Sequence, residues 1–164
     1  MIVEPATTDD LEAITELWVR LARDQRSYGS YVRTEANRTA MGETLAAYRA
    51  SDGLLVARVD DDVVGFASFS VERGALELEA TRGSLSNLYV DPDHRGRGIG
   101  SALLEAVEEA FSARGVEVVL LEVMAENEDA RRFYRRHGYD HLRVTMERPL
   151  VDRSENDTHS KEDR

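Results

Sequence analysis

Residues 88–101 read Leu88-Tyr89-Val90-Asp91-Pro92-Asp93-His94-Arg95-Gly96-Arg97-Gly98-Ile99-Gly100-Ser101. The stretch passes from a strand end, through a proline turn, into glycines that open a helix. Glycine lets the backbone approach a ligand closely, and the first turn of a helix presents N–H groups with no intrahelical partner. Such a helix start holds phosphate through those donors and the positive end of the helix dipole. Arg95 and Arg97 add positive charge here, in a chain whose net charge is −11. No Gly-Lys-Ser/Thr follows, which excludes the P-loop. Glycines at 96, 98 and 100 also break the Gly-x-Gly-x-x-Gly spacing of dinucleotide folds. Taken alone, the loop leaves an ordinary glycine-rich turn open beside a phosphate cradle.

Working outward, the chain alternates strand-like and helix-like segments. Residues 2–5 suit a first strand. Asp9, with Glu12 three residues later, forms a candidate helix N-cap pair. Leu11, Ile14, Leu17, Trp18 and Leu21 follow with helical spacing. A weaker helix is expected over residues 35–49. Residues 53–59 and 63–71 read as a hairpin joined at Asp60-Asp61-Asp62. Residues 84–90 suit a strand stopped at Pro92. Leu103, Leu104, Val107, Ala110 and Phe111 mark a helix that Gly115 ends. An apolar strand is expected over residues 116–123, then a short helix carrying Ala130, Phe133 and Tyr134 and closed by Gly138. Residues 142–146 suit a last strand. This mixture predicts one α+β domain over residues 1–150. Residues 152–164 hold no large apolar side chain, so a disordered acidic tail is expected over 151–164.

Composition narrows the function. The 164 residues are 41% hydrophobic and 32% charged, a globular composition. No apolar run approaches the roughly 20 residues of a membrane span. The opening Met1-Ile2-Val3-Glu4-Pro5 lacks a basic segment followed by an apolar one, so no signal peptide is expected. There is no cysteine, which excludes disulfides, thiolate metal sites and a cysteine nucleophile, and fits a cytoplasmic location. The acidity argues against nucleic-acid partners. Lys161 is the single lysine, and the acidic surface with almost no lysine resembles that of proteins from salt-loving organisms; codon bias is the bland alternative. His137 and His141 are four apart, but Gly138 separates them and no third ligand is evident, so no metal is expected.

Arg95-Gly-Arg-Gly-Ile-Gly100 matches the Arg/Gln-x-x-Gly-x-Gly/Ala signature of the GNAT superfamily, the acetyl-CoA-dependent N-acetyltransferases, and Leu88-Tyr-Val-Asp-Pro92 resembles the strand that precedes it. Asn127-Glu-Asp-Ala130-Arg-Arg-Phe133-Tyr134-Arg-Arg-His-Gly138-Tyr139 is similar to the family's second motif. The detailed likeness covers residues 84–140. It implies a mixed, mostly antiparallel central sheet flanked by helices, with a parallel strand pair splayed at the acetyl-CoA site. It also implies the cofactor contacts. Backbone N–H groups around Gly96, Arg97, Gly98, Ile99, Gly100 and Ser101 would hold the pyrophosphate beside Arg95. The edge of Leu88, Tyr89 and Val90 would receive the pantetheine arm as an added strand. Asn127, Ala130, Phe133 and Tyr134 would complete the cosubstrate site, Asn127 doubling as a helix N-cap.

The same resemblance implies direct transfer of acetyl to a primary amine in a ternary complex. An N–H near Val90 would polarise the thioester carbonyl. Tyr134 matches the family's proton donor to the leaving thiolate; simple helix packing is its structural alternative. Glu122, twelve residues earlier, is placed as in bacterial ribosomal-protein N-terminal acetyltransferases, where a strand glutamate is the base. An outward-facing solvated carboxylate is the alternative. Glu77, Glu79 or a water chain remain as substitutes. The position of the histone-type base is Ser84 here, which argues against that mechanism. Arg131, Arg132, Arg135 and Arg136 suit either the 3′-phosphate of CoA or a solvated helix face. The acceptor region would include residues 26–33, with Tyr28 and Tyr31, and residues 73–83. Its amine is a peptide N-terminus, a lysine, a polyamine or a small amine, and the protein a monomer or homodimer. A non-catalytic CoA-binding sensor or interaction module is the competing class.

Overall fold

A computed structural model of the chain describes residues 1–74 and 76–152. The tail expected over 151–164 therefore lies, from residue 153 on, outside the described residues. Five strands form one sheet in the order β1 (Ile2–Pro5), β2 (Leu54–Val59), β3 (Asp62–Val71), β4 (Arg82–Val90) and β5 (Val118–Leu121). The first three pairings are antiparallel and β4 runs parallel to β5. The mixed, mostly antiparallel sheet with one parallel pair is the architecture expected. Helices α1 (Leu11–Arg26) and α2 (Arg38–Ala50) cover one face, and α3 (Ile99–Ala113) covers the other. Helix α4 (Glu128–Arg136) follows β5. No helix among the described residues is long and apolar enough to cross a membrane.

Alternation along the strands builds the two cores. Leu54, Val56 and Phe66 pack with Ile14, Leu17, Trp18 and Leu45, while Ala57, Val64, Ala67 and Phe69 pack with Leu103, Leu104, Val107 and Phe111. The β2–β3 hairpin turns through Asp60 and Asp61, both left-handed at φ 51° and 69°, the backbone a two-residue hairpin demands and aspartate tolerates. Gly115 and Gly138 are likewise left-handed just past α3 and α4, where helix stops were expected.

Three expectations are corrected. The N-terminal cap uses Thr7 and Asp10, not Asp9 and Glu12: the Thr7 N–H and Oγ1 donate to Asp10 Oδ2 at 2.8 and 3.1 Å. Asp10 takes the role because its carboxylate also meets the Arg58 guanidinium, at 2.9 and 2.7 Å. Strand β5 is shorter than residues 116–123, because the Val116 N–H donates to Phe111 O in the turn leaving α3 and β4 diverges after Leu121. Residues 142–146, expected as a last strand, join no ladder of the sheet and form no strand.

The Asp10–Arg58 pair is largely buried, and Arg58 also donates to Glu4. Hydrogen bonds from Arg58 hold the Asp10 carboxyl below the usual carboxylate range; burial opposes the shift and the Thr7 N–H adds to it. A depressed carboxyl contributes stability above its unfolded value, near 3.9, that is lost as pH falls through the folded value. Asp10→Asn is expected to cost on the order of 2 kcal/mol at pH 7. In urea melts the gap between wild type and variant should begin to narrow below about pH 4 and close once pH has passed the depressed folded value. A gap that does not narrow at all below about pH 4 would assign the loss to packing instead.

Candidate active site

The parallel pairing of β4 with β5 covers only Arg82–Leu85 against Val118–Leu121. β4 continues to Val90, so the sheet forks. The β3–β4 register shifts between Ser68 and Phe69, leaving Ser86 as an extra residue on β4. Beyond that bulge the Asp91 N–H donates to Val64 O at 2.7 Å, and Val90, Tyr89 and Leu88 stand opposite Gly65, Phe66 and Ala67. Antiparallel ladders alternate. The backbone groups of Tyr89 and Asp91 therefore face β3, and those of Leu88 and Val90 face the fork. The Val90 carbonyl accepts from Arg95 Nε at 3.0 Å, which leaves its N–H as the open group.

Tyr89 is turned away from the fork. Its ring is buried in the α1 core and its hydroxyl donates to Asp24 at 3.2 Å. Burial, then the Asp24 charge, pushes the phenol up to about 12. The Arg95 guanidinium lies over this ring, 5.2 Å from its centre. Arg95 is thus tied to the loop itself. Arg97 is exposed and has no ion-pair partner among the described residues.

Gly96 and Gly98 are left-handed, at φ 77° and 81°. An added Cβ at either would meet nothing within 4 Å, so these backbone faces are open. Gly98 stands at the N-cap of α3 with no side chain to cap it, and its carbonyl accepts from the Ala102 N–H at 3.0 Å. The N–H groups of Ile99, Gly100 and Ser101 precede that first helical bond. Ile99 points its side chain into the α3 core. A Cβ on Gly100 would sit 3.5 Å from Phe133 Cζ and 3.8 Å from Val90 Cγ2, so α4, α3 and the end of β4 meet at this mouth.

Helix α4 begins where Asn127 Oδ1 accepts the Ala130 N–H at 3.1 Å, so the asparagine is an N-cap. Ala130 is half-buried on the same helix. Phe133, Tyr134 and Tyr139 stack edge to face, with ring centres 5.1 and 5.7 Å apart. Desolvation alone pushes the Tyr134 phenol up to about 12. Its hydroxyl has no hydrogen-bond partner among the described residues. His137 Nε2 lies 3.0 Å from Ser101 Oγ and anchors α4 to the first turn of α3. Sequence reading assigned His137 no such role. The signal was its position one turn after Phe133, on the same helix face.

Glu122 follows the last residue of β5, is exposed, and has no partner among the described residues. Glu77 and Glu79 are exposed in the β3–β4 connection, and Ser84 lies within β4. Arg131 closes on the Ala125 carbonyl and Glu128, and Arg132 pairs with Asp129; Arg135 and Arg136 are exposed. Tyr48 of α2 reaches the β4 bulge, its hydroxyl 2.7 Å from Ser86 Oγ, and Asn87 Nδ2 donates to Ser68 Oγ at 2.8 Å. No local pattern in the sequence signals these contacts, because they exist only once α2 lies on the sheet.

The sheet forks at its parallel pair beside the uncapped start of α3, and Tyr134, on α4, stands without a hydrogen-bond partner among the described residues. The chain belongs to the acetyltransferase (GNAT) family, whose sequence profile matches residues 11–139. It is 30% identical over 142 residues to an uncharacterized N-acetyltransferase of Methanocaldococcus jannaschii, covering 87% of this chain but 62% of that protein. A mutant BH1408 protein from Bacillus halodurans superposes with TM-score 0.79 at 24% identity, over 92% of this chain and 100% of the other. A ribosomal-protein-alanine N-acetyltransferase from Brucella melitensis superposes with TM-score 0.70 at 24% identity, over 84% of this chain and 83% of its own, a likeness of fold.

Proposed function

We propose that this protein moves an acetyl group from acetyl-CoA to a primary amine by direct transfer in a ternary complex. The forked sheet carries this reading, since it leaves the Leu88 and Val90 backbone edge open beside the bare amides of α3. When bound, the thioester supplies the activated acyl group. The α3 amides, with Arg97 nearby, hold the diphosphate. Leu88 pairs with the pantetheine arm as strand to strand. The Val90 N–H donates to the carbonyl oxygen as charge develops there. Asn127, already a cap, and the Phe133 ring border the site.

The amine nitrogen forms the new C–N bond as the C–S bond breaks. Tyr134 donates the proton that the departing sulfur takes up, and a carboxylate removes the proton released from nitrogen. Glu122 is assigned that second role, with Glu77, Glu79 or water as substitutes. The absence of cysteine from all 164 residues rules out a cysteinyl intermediate. Acceptors are amines presented by a peptide N-terminus, a lysine, a polyamine or a small molecule.

Calorimetry with acetyl-CoA and CoA-thiol release over a panel of amines and N-terminal peptides test this. Saturable binding with turnover on part of the panel is expected. Tight binding without turnover on any amine would make the chain a sensor module, and no binding would overturn the assignment. Glu122→Gln should lower kcat/KM at neutral pH by about 10²-fold and displace the acid limb of the pH–rate profile. An unchanged profile moves the role to Glu77, Glu79 or water.

A further inference from the structure

Ser101 and His137, 36 positions apart, meet at the mouth of α3, where Ser101 Oγ lies 3.0 Å from His137 Nε2. Ser101 stands in the first turn of α3, and His137 directly follows the last residue of α4. Packing fixes the imidazole: its centre lies 4.7 Å from that of the Phe133 ring, which itself abuts the Gly100 backbone. Both residues are half-buried, and neither Ser101 Oγ nor the His137 ring has another hydrogen-bond partner among the described residues. A serine hydroxyl has one proton to give and two lone pairs to receive with, and a neutral imidazole donates at one nitrogen and accepts at the other. The contact therefore has two forms. In one the hydroxyl donates to Nε2 and has no proton left. In the other Nε2–H donates to Oγ, and the hydroxyl proton is free to turn elsewhere.

We infer that His137 is a positioning residue for the cosubstrate: its Nε2–H holds Ser101 Oγ so that the hydroxyl proton turns to the diphosphate and adds a side-chain donor to the α3 amides. This rests on the acetyl-CoA reading above. A diphosphate offers acceptors only, so a hydroxyl beside it must donate. Ser101 also carries one of the N–H groups that precede the first helical bond of α3, so amide and hydroxyl serve the same end of the ligand. Receiving a proton from Nε2 strengthens the hydroxyl as a donor, because hydrogen bonds in a chain polarise one another. The same contact ties α4 to the diphosphate end of the site. Tyr134 lies one turn before His137, so the grip on the diphosphate and the seat of the proposed proton donor share this bond. A contact that only braced α4 would serve equally well in either form, and the position of the imidazole proton separates the two roles.

Calorimetry with acetyl-CoA and nitrogen NMR of histidine-labelled protein test this. Ser101→Ala and His137→Phe should each weaken acetyl-CoA binding by about 10-fold. The double variant should bind no worse than Ser101→Ala, because both substitutions remove one and the same hydrogen bond. His137→Gln, whose amide carries an N–H to the place of Nε2, should recover affinity to within about threefold of wild type. With the ring neutral and acetyl-CoA saturating, the His137 proton should sit on Nε2, its signal assigned by its loss in His137→Gln. A proton on Nδ1 in that complex, or a Ser101→Ala protein that binds as tightly as wild type, would overturn the inference. Additive losses in the double variant, or no recovery with glutamine, would reduce His137 to a brace for α4. Should His137→Phe unfold, Ser101→Ala and the proton position decide. A wild type that ignores acetyl-CoA removes the acetyltransferase reading and this inference with it, whereas wild-type binding with unmoved variants removes this inference alone.

Discussion

Tyr134→Phe is expected to lower turnover by about 10²- to 10³-fold while acetyl-CoA affinity changes by no more than about 1 kcal/mol. The substitution removes one oxygen and keeps the ring. Edge-to-face contacts with Phe133 and Tyr139 survive, so α4 keeps its seat on the mouth of α3. The hydroxyl makes no hydrogen bond among the described residues, so the free protein loses no partner. With its phenol pushed up to about 12 by desolvation, Tyr134 is protonated throughout the neutral range, which suits the proton-donor role proposed for it and not that of a base. The loss should therefore fall on kcat, as for an interaction made only when the sulfur becomes anionic. Steady-state kinetics paired with calorimetry checks this. Full activity in the variant would remove Tyr134 from the proton path.

Gly98→Val is expected to weaken acetyl-CoA binding by at least about 10²-fold, combining backbone strain of roughly 1–2 kcal/mol with obstruction of the amides. At φ 81° a β-branched residue is disfavoured, and the backbone can relieve that strain only by turning the α3 amides off their aim. A Cβ at this site meets no atom of the protein within 4 Å, so folding suffers only the strain, and the new side chain stands in the open space before the amides. Melting temperature should fall modestly while affinity collapses. Unchanged affinity would detach the diphosphate from this helix start. With CoA fragments, the loss should appear for those carrying the diphosphate and be small for pantetheine alone.

The local features were legible along the chain because their causes are local. Helical spacing of buried residues in α1 and α3, the Asp60-Asp61 turn, the left-handed glycines at 96 and 98 and the stops at 115 and 138 each depend on residues close in sequence. The family signature is of the same kind, since a helix mouth built for phosphate needs its glycines within one turn. The cap was misplaced by two residues because Arg58, 48 positions away, selects Asp10. The extent of β5 was overestimated because a ladder belongs to two strands, and β4 leaves it after Leu121.

The β4 bulge lies beyond any pattern in the sequence. Alternation read from Leu85 without interruption would place Leu85, Asn87 and Tyr89 on one face and aim the Tyr89 backbone into the fork. The extra residue, Ser86, reverses this: Leu85, Leu88 and Val90 share the α3 side, Tyr89 enters the α1 core, and the Leu88 and Val90 amides turn outward. Composition and spacing were enough to establish an acidic, cysteine-free chain with a glycine-led start to α3 and a tyrosine two elements later, on α4. Which β4 amides turn away from β3 was settled by strand pairing, because a one-residue shift between segments distant in sequence inverts every side chain and every N–H that follows it.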